Sequence, residues 1–190
     1  MRSPRFACMG GFTLIELMVT ITLLGLLVIW GAPNYSQWIA NTRVRTTAEA
    51  IQNGLMLAKA EAVRTNSKVQ FVLTNGDPVA ANVNSITANI AGRSWMVRTF
   101  REGGTYSASD FVQGRSSAEG SSNVTVAAAQ HSFVFTGIGS MSPVPTASPL
   151  NIDISSPPPA SRRLRVTVSR GGAIRMCDRE LLIANSAMGC

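Results

Sequence analysis

The chain carries GGFTLIELMV at residues 10–19, and this stretch opens an apolar run from Phe12 to Ile29 in which Glu16 is the single charged residue. An apolar run of about 18 or more residues is long enough to cross a bilayer as a helix. A carboxylate inside such a run costs free energy, so Glu16 is interpreted as functional rather than accidental.

The flanks of the apolar run indicate where it is processed. Arg2 and Arg5 precede it, as in a secretory signal, and positive flanks tend to remain cytoplasmic. Trp30 and Pro33 fit poorly in a small-residue cleavage site at the far end of the run. The cut is therefore predicted before the run, directly after Gly11.

Gly11, Phe12 and Glu16 together resemble the prepilin signal of type IV pilins and type II secretion pseudopilins. The resemblance implies that residues 1–11 are a leader, removed by a membrane peptidase that also methylates the new amino group of Phe12. It also implies that Glu16 neutralises the Phe12 amine of a neighbouring subunit during assembly. A plain signal anchor with an accidental glutamate is the alternative.

A long helix is predicted from Phe12 to about Arg64. Gly25 and Pro33 lie where pilin helices commonly carry helix-weakening residues, and Pro33 is predicted to bend the helix. Residues 12–33 would form the membrane and filament-core part, and residues 34–67 an amphipathic continuation. One apolar stripe at helical spacing defines that continuation: Val44, Ala48, Ile51, Leu55, Ala58 and Ala62.

Residues 68–190 are predicted to form a β-rich globular head, which makes the fold class α+β, a long N-terminal helix packed on an antiparallel sheet domain. Because aromatic residues make up only 6% of the chain, the core is expected to be mainly aliphatic. Short strands are predicted at 68–73, 94–100, 124–128, 131–135 and 150–154, with loops at 114–122 and 140–161 around them.

The last hairpin has the most regular pattern. A three-residue loop, Arg170 to Gly172, would pair Val168 with Ile174 and Val166 with Met176, which keeps the apolar side chains on one face. A glycine is then available for the left-handed position that such loops need.

Two cysteines remain after removal of the leader, Cys177 and Cys190. An even pair in an exported domain predicts a disulfide, worth about 3 kcal/mol in the chain-entropy model. Two unpaired thiols are the alternative.

Catalysis finds little support in the sequence. His131 is the one histidine, and there is no carboxylate pair, metal-ligand cluster or phosphate-binding glycine loop. We therefore expect no enzymatic activity, no cofactor and no metal; a hydrolase displayed from a signal anchor is the enzyme alternative.

Arginines are concentrated near the end of the chain, whose net charge is +7. Arg163, Arg165 and Arg175 are predicted to share the outward face of the last hairpin with Arg170 at its tip, where they would align phosphates. These four are the candidate DNA-binding residues. The alternative is a solvated sheet face or a subunit contact.

The β-rich region with its basic strand, glycine turn and Arg-x-Cys run resembles the GspH/FimT family of minor pilins and pseudopilins. Some FimT members bind DNA through a Gly-Arg-x-Arg element; here Arg175 matches its last position, and Ala173 stands in place of the first arginine.

The resemblance implies a FimT/FimU-type minor type IV pilin, incorporated near the pilus tip to support assembly. A GspH-like pseudopilin of type II secretion and a DNA-binding pilin for natural transformation are the alternatives. The expected partners are other minor and major pilins or pseudopilins, the prepilin peptidase/methylase, the inner membrane and, for the last alternative, DNA. The expected location is the inner membrane, single-pass with the C-terminal domain in the periplasm, and then a surface pilus or a periplasmic pseudopilus.

Overall fold

The computed structural model describes residues 12–119, 123–158, 160 and 162–190, and for residues 30–33 it describes the backbone only. The chain divides into two compact units at residue 36, with residues 37–190 forming the larger one. The predicted leader, including Gly11 and Cys8, lies outside the described residues.

Helix α1, Leu14–Thr65, is the element that runs through both units. In the larger unit, the stripe predicted from the sequence is confirmed, since all six of its side chains are fully buried. Asn66 follows the helix with a φ of 47°, and the Ser67 amide donates to the Ala62 carbonyl at 3.2 Å. This left-handed residue with its backward hydrogen bond is a common way to end a helix.

Eight strands form two four-stranded antiparallel sheets. The first has the order β3-β2-β1-β5 and the second the order β4-β6-β7-β8. The bounds are β1 Val69–Thr74, β2 Ser94–Thr99, β3 Phe111–Arg115, β4 Thr125–Ala128, β5 Ser132–Phe135, β6 Leu150–Ser155, β7 Leu164–Val168 and β8 Ile174–Asp178. The structure confirms the predicted α+β class, a helix packed on antiparallel sheets.

Aromatic side chains contribute more to the core than the composition suggested. Phe71, Phe133 and Phe135 are fully buried and Trp95 is 5% exposed. The ring centroids of Phe71 and Trp95 lie 5.6 Å apart, and those of Phe71 and Phe133 6.1 Å apart. Although rings are few in the chain, these four lie on neighbouring strands of the first sheet, so they meet in one cluster.

The register predicted for the last hairpin is confirmed. Val168 pairs with Ile174 and Val166 with Met176. Gly172 takes the left-handed position, with a φ of 73°, and its amide donates to the Ser169 carbonyl at 2.9 Å. A side chain at Gly172 would also collide with the Gly139 carbonyl.

Strand β3 was missed, and the loop predicted from residue 114 in fact begins after Arg115. Its sequence, FVQGR, lacks apolar alternation and includes Gly114. An edge strand of this kind is defined by its partner: β3 pairs with β2, with a register shift between Val97 and Arg98. Gly114 is required because the backbone of Pro78 packs against it where a Cβ would lie.

Candidate functional site

The first candidate surface is the N-terminal part of α1. Every residue from Phe12 to Ile29 is exposed in the isolated chain. Two of its three threonine hydroxyls donate to backbone carbonyls of the same helix: Thr20 to Leu17 at 2.9 Å, and Thr22 to Val19 at 2.9 Å. Because these hydroxyls donate within the helix, they need no hydrogen-bond partner from water. The surface is therefore compatible with an apolar environment.

No single helix among the described residues meets the length and hydropathy required of a membrane span. A bend divides α1 into two parts, Leu14–Ile29 and Asn34–Thr65. Taken together, these two parts meet the requirements for a membrane span, on length and composition alone. An added Cβ at Gly25 would touch nothing, and the side chain of Pro33 lies outside the described residues. The kink assigned to these two positions stays a prediction.

Glu16 lies in the first turn of α1, where its backbone amide donates to the Thr13 hydroxyl at 3.3 Å. Threonine followed three residues later by glutamate is the spacing of a helix N-terminal capping box, and a carboxylate there interacts favourably with the helix dipole. Glu16 is thus placed with its carboxylate near the start of the helix, close in sequence to Phe12, which is 81% exposed. The cleavage predicted after Gly11 stays a prediction.

The second candidate surface is the outer face of the second sheet, where the predicted DNA-binding arginines lie. Arg165 makes two hydrogen bonds to the Asp153 carboxylate, from Nε at 2.6 Å and from Nη2 at 3.0 Å. The Asp153 carboxylate raises the pKa of the Arg165 guanidinium. Arg179 also approaches Asp153, at 3.5 Å. Two-point pairing of this kind fixes the guanidinium plane on the neighbouring strand.

The remaining arginines of this face also have partners within the chain. Arg163 lies 3.5 Å from the Glu180 carboxylate. Arg170 donates to the Thr146 carbonyl at 2.6 Å. Arg175 donates to the carbonyls of Ala187 at 2.8 Å and Gly189 at 3.2 Å. Residues 162–179, which hold these arginines, contain one acidic residue, Asp178. The sheet brings Asp153 to the same face, and the turn after β8 brings Glu180 there.

The C-terminal loop, residues 179–190, packs beside β8. The structure joins Cys177 and Cys190 by a disulfide that closes a separation of 13 residues. The Asp178 amide donates to the Met188 carbonyl at 2.7 Å, and the Cys190 amide donates to the Leu181 carbonyl at 3.2 Å. Together with Arg175, these contacts hold the end of the chain against the strand.

Sequence reasoning missed a buried polar cluster on the other face of the first sheet. Arg98, 8% exposed, donates to the Gln70 side chain at 2.9 Å and stacks on Tyr106, with 3.6 Å from Cζ to the ring centroid. Burial lowers the pKa of Arg98, while Tyr106 acts in the opposite direction. The cluster forms because loops that are distant in sequence cover this face of the sheet. No local sequence pattern predicts it.

Asp110 stabilises the same covering loops. Its carboxylate accepts hydrogen bonds from Arg101 Nε at 2.8 Å and from the Ser107 amide at 2.9 Å. Arg101 first, and then the Ser107 amide, hold the pKa of Asp110 well below its ordinary range.

The described residues contain no candidate metal centre. Within those ranges, no three His, Cys, Asp or Glu side chains are grouped so that they could hold a metal ion. His131 is exposed at a bend just before β5, and its carbonyl accepts a hydrogen bond from the Leu73 amide at 2.8 Å. The expectation that the chain is not an enzyme stays a prediction.

Comparison with known proteins places these features in a family. The family model described as type II transport protein GspH matches residues 47–172, more than half of the chain. The prokaryotic N-terminal methylation motif matches residues 8–32, which include Gly11, Phe12 and Glu16. A type IV major fimbrial protein of Dichelobacter nodosus, FimA, is 32% identical over 77 residues; the match covers 40% of this chain and 43% of that protein.

The fold is similar to that of a solved minor pilin. The type IV minor pilin FimU of Pseudomonas aeruginosa superposes with a TM-score of 0.52 at 13% identity, over 71% of this chain and 88% of FimU. The minor pseudopilin EpsH of the Vibrio cholerae type 2 secretion system gives 0.46 at 10% identity, over 72% of this chain and 97% of EpsH. The chain belongs to the GspH family and is a type IV pilin or pseudopilin with an N-terminal methylation motif.

Proposed function

We propose that this chain is a minor type IV pilin. It is cleaved between Gly11 and Phe12 by the prepilin peptidase, methylated on Phe12, and held in the inner membrane by residues 12–33. Residues 34–67 continue the helix, and residues 68–190 form the head, which lies in the periplasm before assembly. The subunit then enters a pilus at low copy, near the tip, where it supports assembly through contacts with other pilins.

The observation that carries this proposal is the exposed apolar surface of α1 from Phe12 to Ile29. A soluble protein rarely leaves so large a contiguous apolar surface uncovered, because each apolar Å² left in water costs about 25 cal/mol. Lipid covers this apolar surface first, and the helices of neighbouring subunits cover it after assembly. A filament subunit needs both environments in turn, and one continuous apolar helix serves both.

The position of Glu16 supports the assembly step. A lone carboxylate or a lone ammonium in an apolar helix bundle is costly, whereas the pair removes most of that cost. Glu16 lies one turn along the helix from Phe12, so its carboxylate is placed to receive the amino group of an adjacent subunit that is staggered along the filament. This pairing sets the register with which the new subunit docks.

The direct test is targeted mass spectrometry of filaments sheared from intact cells. We expect peptides from the processed chain beside a major pilin, with the N-terminal peptide beginning at a methylated Phe12. An uncleavable Gly11 variant expressed at the same level is the matched control and is expected to be absent from the filaments. Equal recovery of both chains in the sheared fraction would contradict the proposal.

The second candidate, a minor pseudopilin of type II secretion, is favoured by the matching family description. The same experiment separates the two machines. Processed peptides found only in the envelope, while sheared pili are abundant, would favour a periplasmic pseudopilus. Loss of secreted proteins from the medium on deletion of the gene would then be the decisive phenotype.

The DNA-binding alternative draws on Arg163 and Arg170, which remain exposed at the edge and tip of the hairpin. A fragment of residues 37–190 should shift duplex DNA in a gel at low salt, with affinity falling steeply as salt rises. Replacing Arg163 and Arg170 by Ala should abolish the shift; an unchanged shift would remove the hairpin as the binding site. Arg93, exposed on another loop, provides the matched control substitution.

A further inference from the structure

The C-terminal loop exposes a group of large apolar side chains although its backbone is tightly held. Leu182 is 68% exposed, Ile183 61% and Met188 52%. The backbone beneath them is ordered by the disulfide, by hydrogen bonds from Asn185 and Ser186 to the Leu182 carbonyl at 3.0 Å, and by Gly189. A side chain at Gly189 would collide with the Leu182 and Ile183 backbone. The loop is therefore built to hold these side chains outward.

The same loop lies beside the part of α1 with which the larger unit begins. Leu181 and Glu180 share the lining of one surface cavity of about 580 Å³ with Trp38, Thr42 and Arg45 of the helix. Trp38 is 63% exposed. The exposed apolar residues of this loop and of the adjoining helix are called the apolar tip: Trp38, Leu181, Leu182, Ile183 and Met188, of which Trp38 and Leu181 line the shared cavity.

The chain connection places this tip within reach of the bilayer. Trp38 follows Ile29, the last residue of the apolar run, by nine residues, which span about 13 Å as a helix and at most about 32 Å when extended. Tryptophan and long aliphatic side chains are the residues that bind at the boundary between lipid headgroups and acyl chains. The charged residues around the tip include three ion pairs and Arg175, whose guanidinium donates to the carbonyls of Ala187 and Gly189.

We propose that the apolar tip rests on the surface of the phospholipid bilayer while the subunit awaits assembly. This inference rests on the proposed membrane anchor. Arg162 pairs with Asp178 at 3.3 Å, Arg163 with Glu180 at 3.5 Å and Arg45 with Glu49 at 2.8 Å. Each of these pairs carries no net charge, and a zwitterionic bilayer carries none either. Apolar insertion therefore drives the contact, which should occur on such a bilayer with little dependence on salt.

The contact would have a consequence for assembly. One covalent tether leaves a head free to tilt over the membrane, whereas a second point of attachment fixes the side of the head that faces the lipid. The surfaces away from the tip are then presented to incoming subunits. Extraction into the filament must also remove the tip from lipid, so the tip adds to the work of extraction.

The test uses the full chain reconstituted in phosphatidylcholine vesicles, with the photo-crosslinking residue p-benzoylphenylalanine in place of Leu182. The matched control carries the same probe in place of Ile138, which is 86% exposed. Ile138 adjoins Gly139, whose added Cβ would lie 2.9 Å from Lys59. Lys59 is about 30 Å along the helix from Trp38. Lipid adducts are measured by mass spectrometry after irradiation.

The expected yield of lipid adduct at position 182 is at least about tenfold higher than at position 138, as transfer of a leucine-sized side chain from water to lipid implies. The yield should be the same at low and high salt. With the probe in place of Met188, the changes Leu182→Gln and Ile183→Gln should reduce the yield. Because all three side chains are exposed, these variants are expected to fold.

Three outcomes would overturn the inference. Equal lipid yields at positions 182 and 138, or a crosslink from position 182 to a second copy of the chain in place of lipid, would show that the tip does not rest on lipid. A yield that falls steeply with salt would show that charge, not apolar insertion, drives the contact. Flotation of the vesicles separates these results from failure of the anchor itself, because a chain that does not float with lipid refutes the proposed membrane span as well.

Discussion

Reduction of the Cys177–Cys190 disulfide provides a quantitative test of how the end of the chain is held. The bond closes a separation of 13 residues, and loop-closure entropy for a loop of that length amounts to about 3 kcal/mol at 25 °C in the chain-entropy model. We expect the reduced fragment of residues 37–190 to lose about 2–4 kcal/mol of unfolding free energy. Most of this loss reflects the greater freedom of the reduced unfolded chain.

The assay is urea unfolding, monitored by tryptophan fluorescence, in which the buried Trp95 reports on the core, with and without dithiothreitol. The matched control is the double variant Cys177→Ala and Cys190→Ala, whose unfolding should not respond to the reductant. Hydrogen exchange supplies a second readout, because the Asp178 amide donates to Met188 within the stapled segment and should exchange faster after reduction. A change below about 1 kcal/mol on reduction would refute the loop-closure argument, since the model requires several times that.

Three further predictions address processing, assembly and acid stability. Gly11→Leu should leave an uncleaved precursor on a gel; normal processing would contradict the prepilin interpretation. Glu16→Ala should leave membrane insertion unchanged and reduce recovery in sheared filaments, with Glu16→Asp as the conservative control; full recovery of the Ala variant would argue against charge pairing. Arg101 lowers the pKa of Asp110, so its stabilisation is complete above the unfolded value near pH 4 and is lost as pH falls below it. Asp110→Asn should flatten that acid-side loss in urea unfolding, and a slope equal to that of the unchanged chain would refute the assignment.

Two confirmed predictions, the apolar stripe on α1 and the register of the last hairpin, rest on the spacing of residues within one continuous segment. The stripe on α1 follows from spacing alone, because residues three and four apart in a helix lie on the same face. The register of the last hairpin follows from a period of two and from a glycine in the loop, since the hairpin is closed locally. Both patterns describe contacts between residues that are near in sequence, so the chain carries the information directly.

The arginine face shows where sequence reasoning reached its limit. Arg165 is separated from Asp153 by a long proline-containing connection, yet β6 and β7 are adjacent and place the two side chains opposite each other. Arg175 is exposed, as its predicted outward position requires, and its guanidinium also donates to two carbonyls of the C-terminal loop. A count of charges along the chain therefore overstated how many arginines are free for a polyanion.

The sequence by itself determined the apolar helix with its single carboxylate, the stripe that docks the helix on the head, and the geometry of the final hairpin. Tertiary structure alone decided that β3 exists, that Arg98 and Tyr106 stack in a buried cluster, and that the C-terminal loop holds Leu182 and Ile183 outward. The physical reason is the range of the interactions. Helical and strand periodicity is fixed by neighbours in the chain, whereas edge strands, buried ion contacts and stapled loops depend on which distant segments the fold brings together.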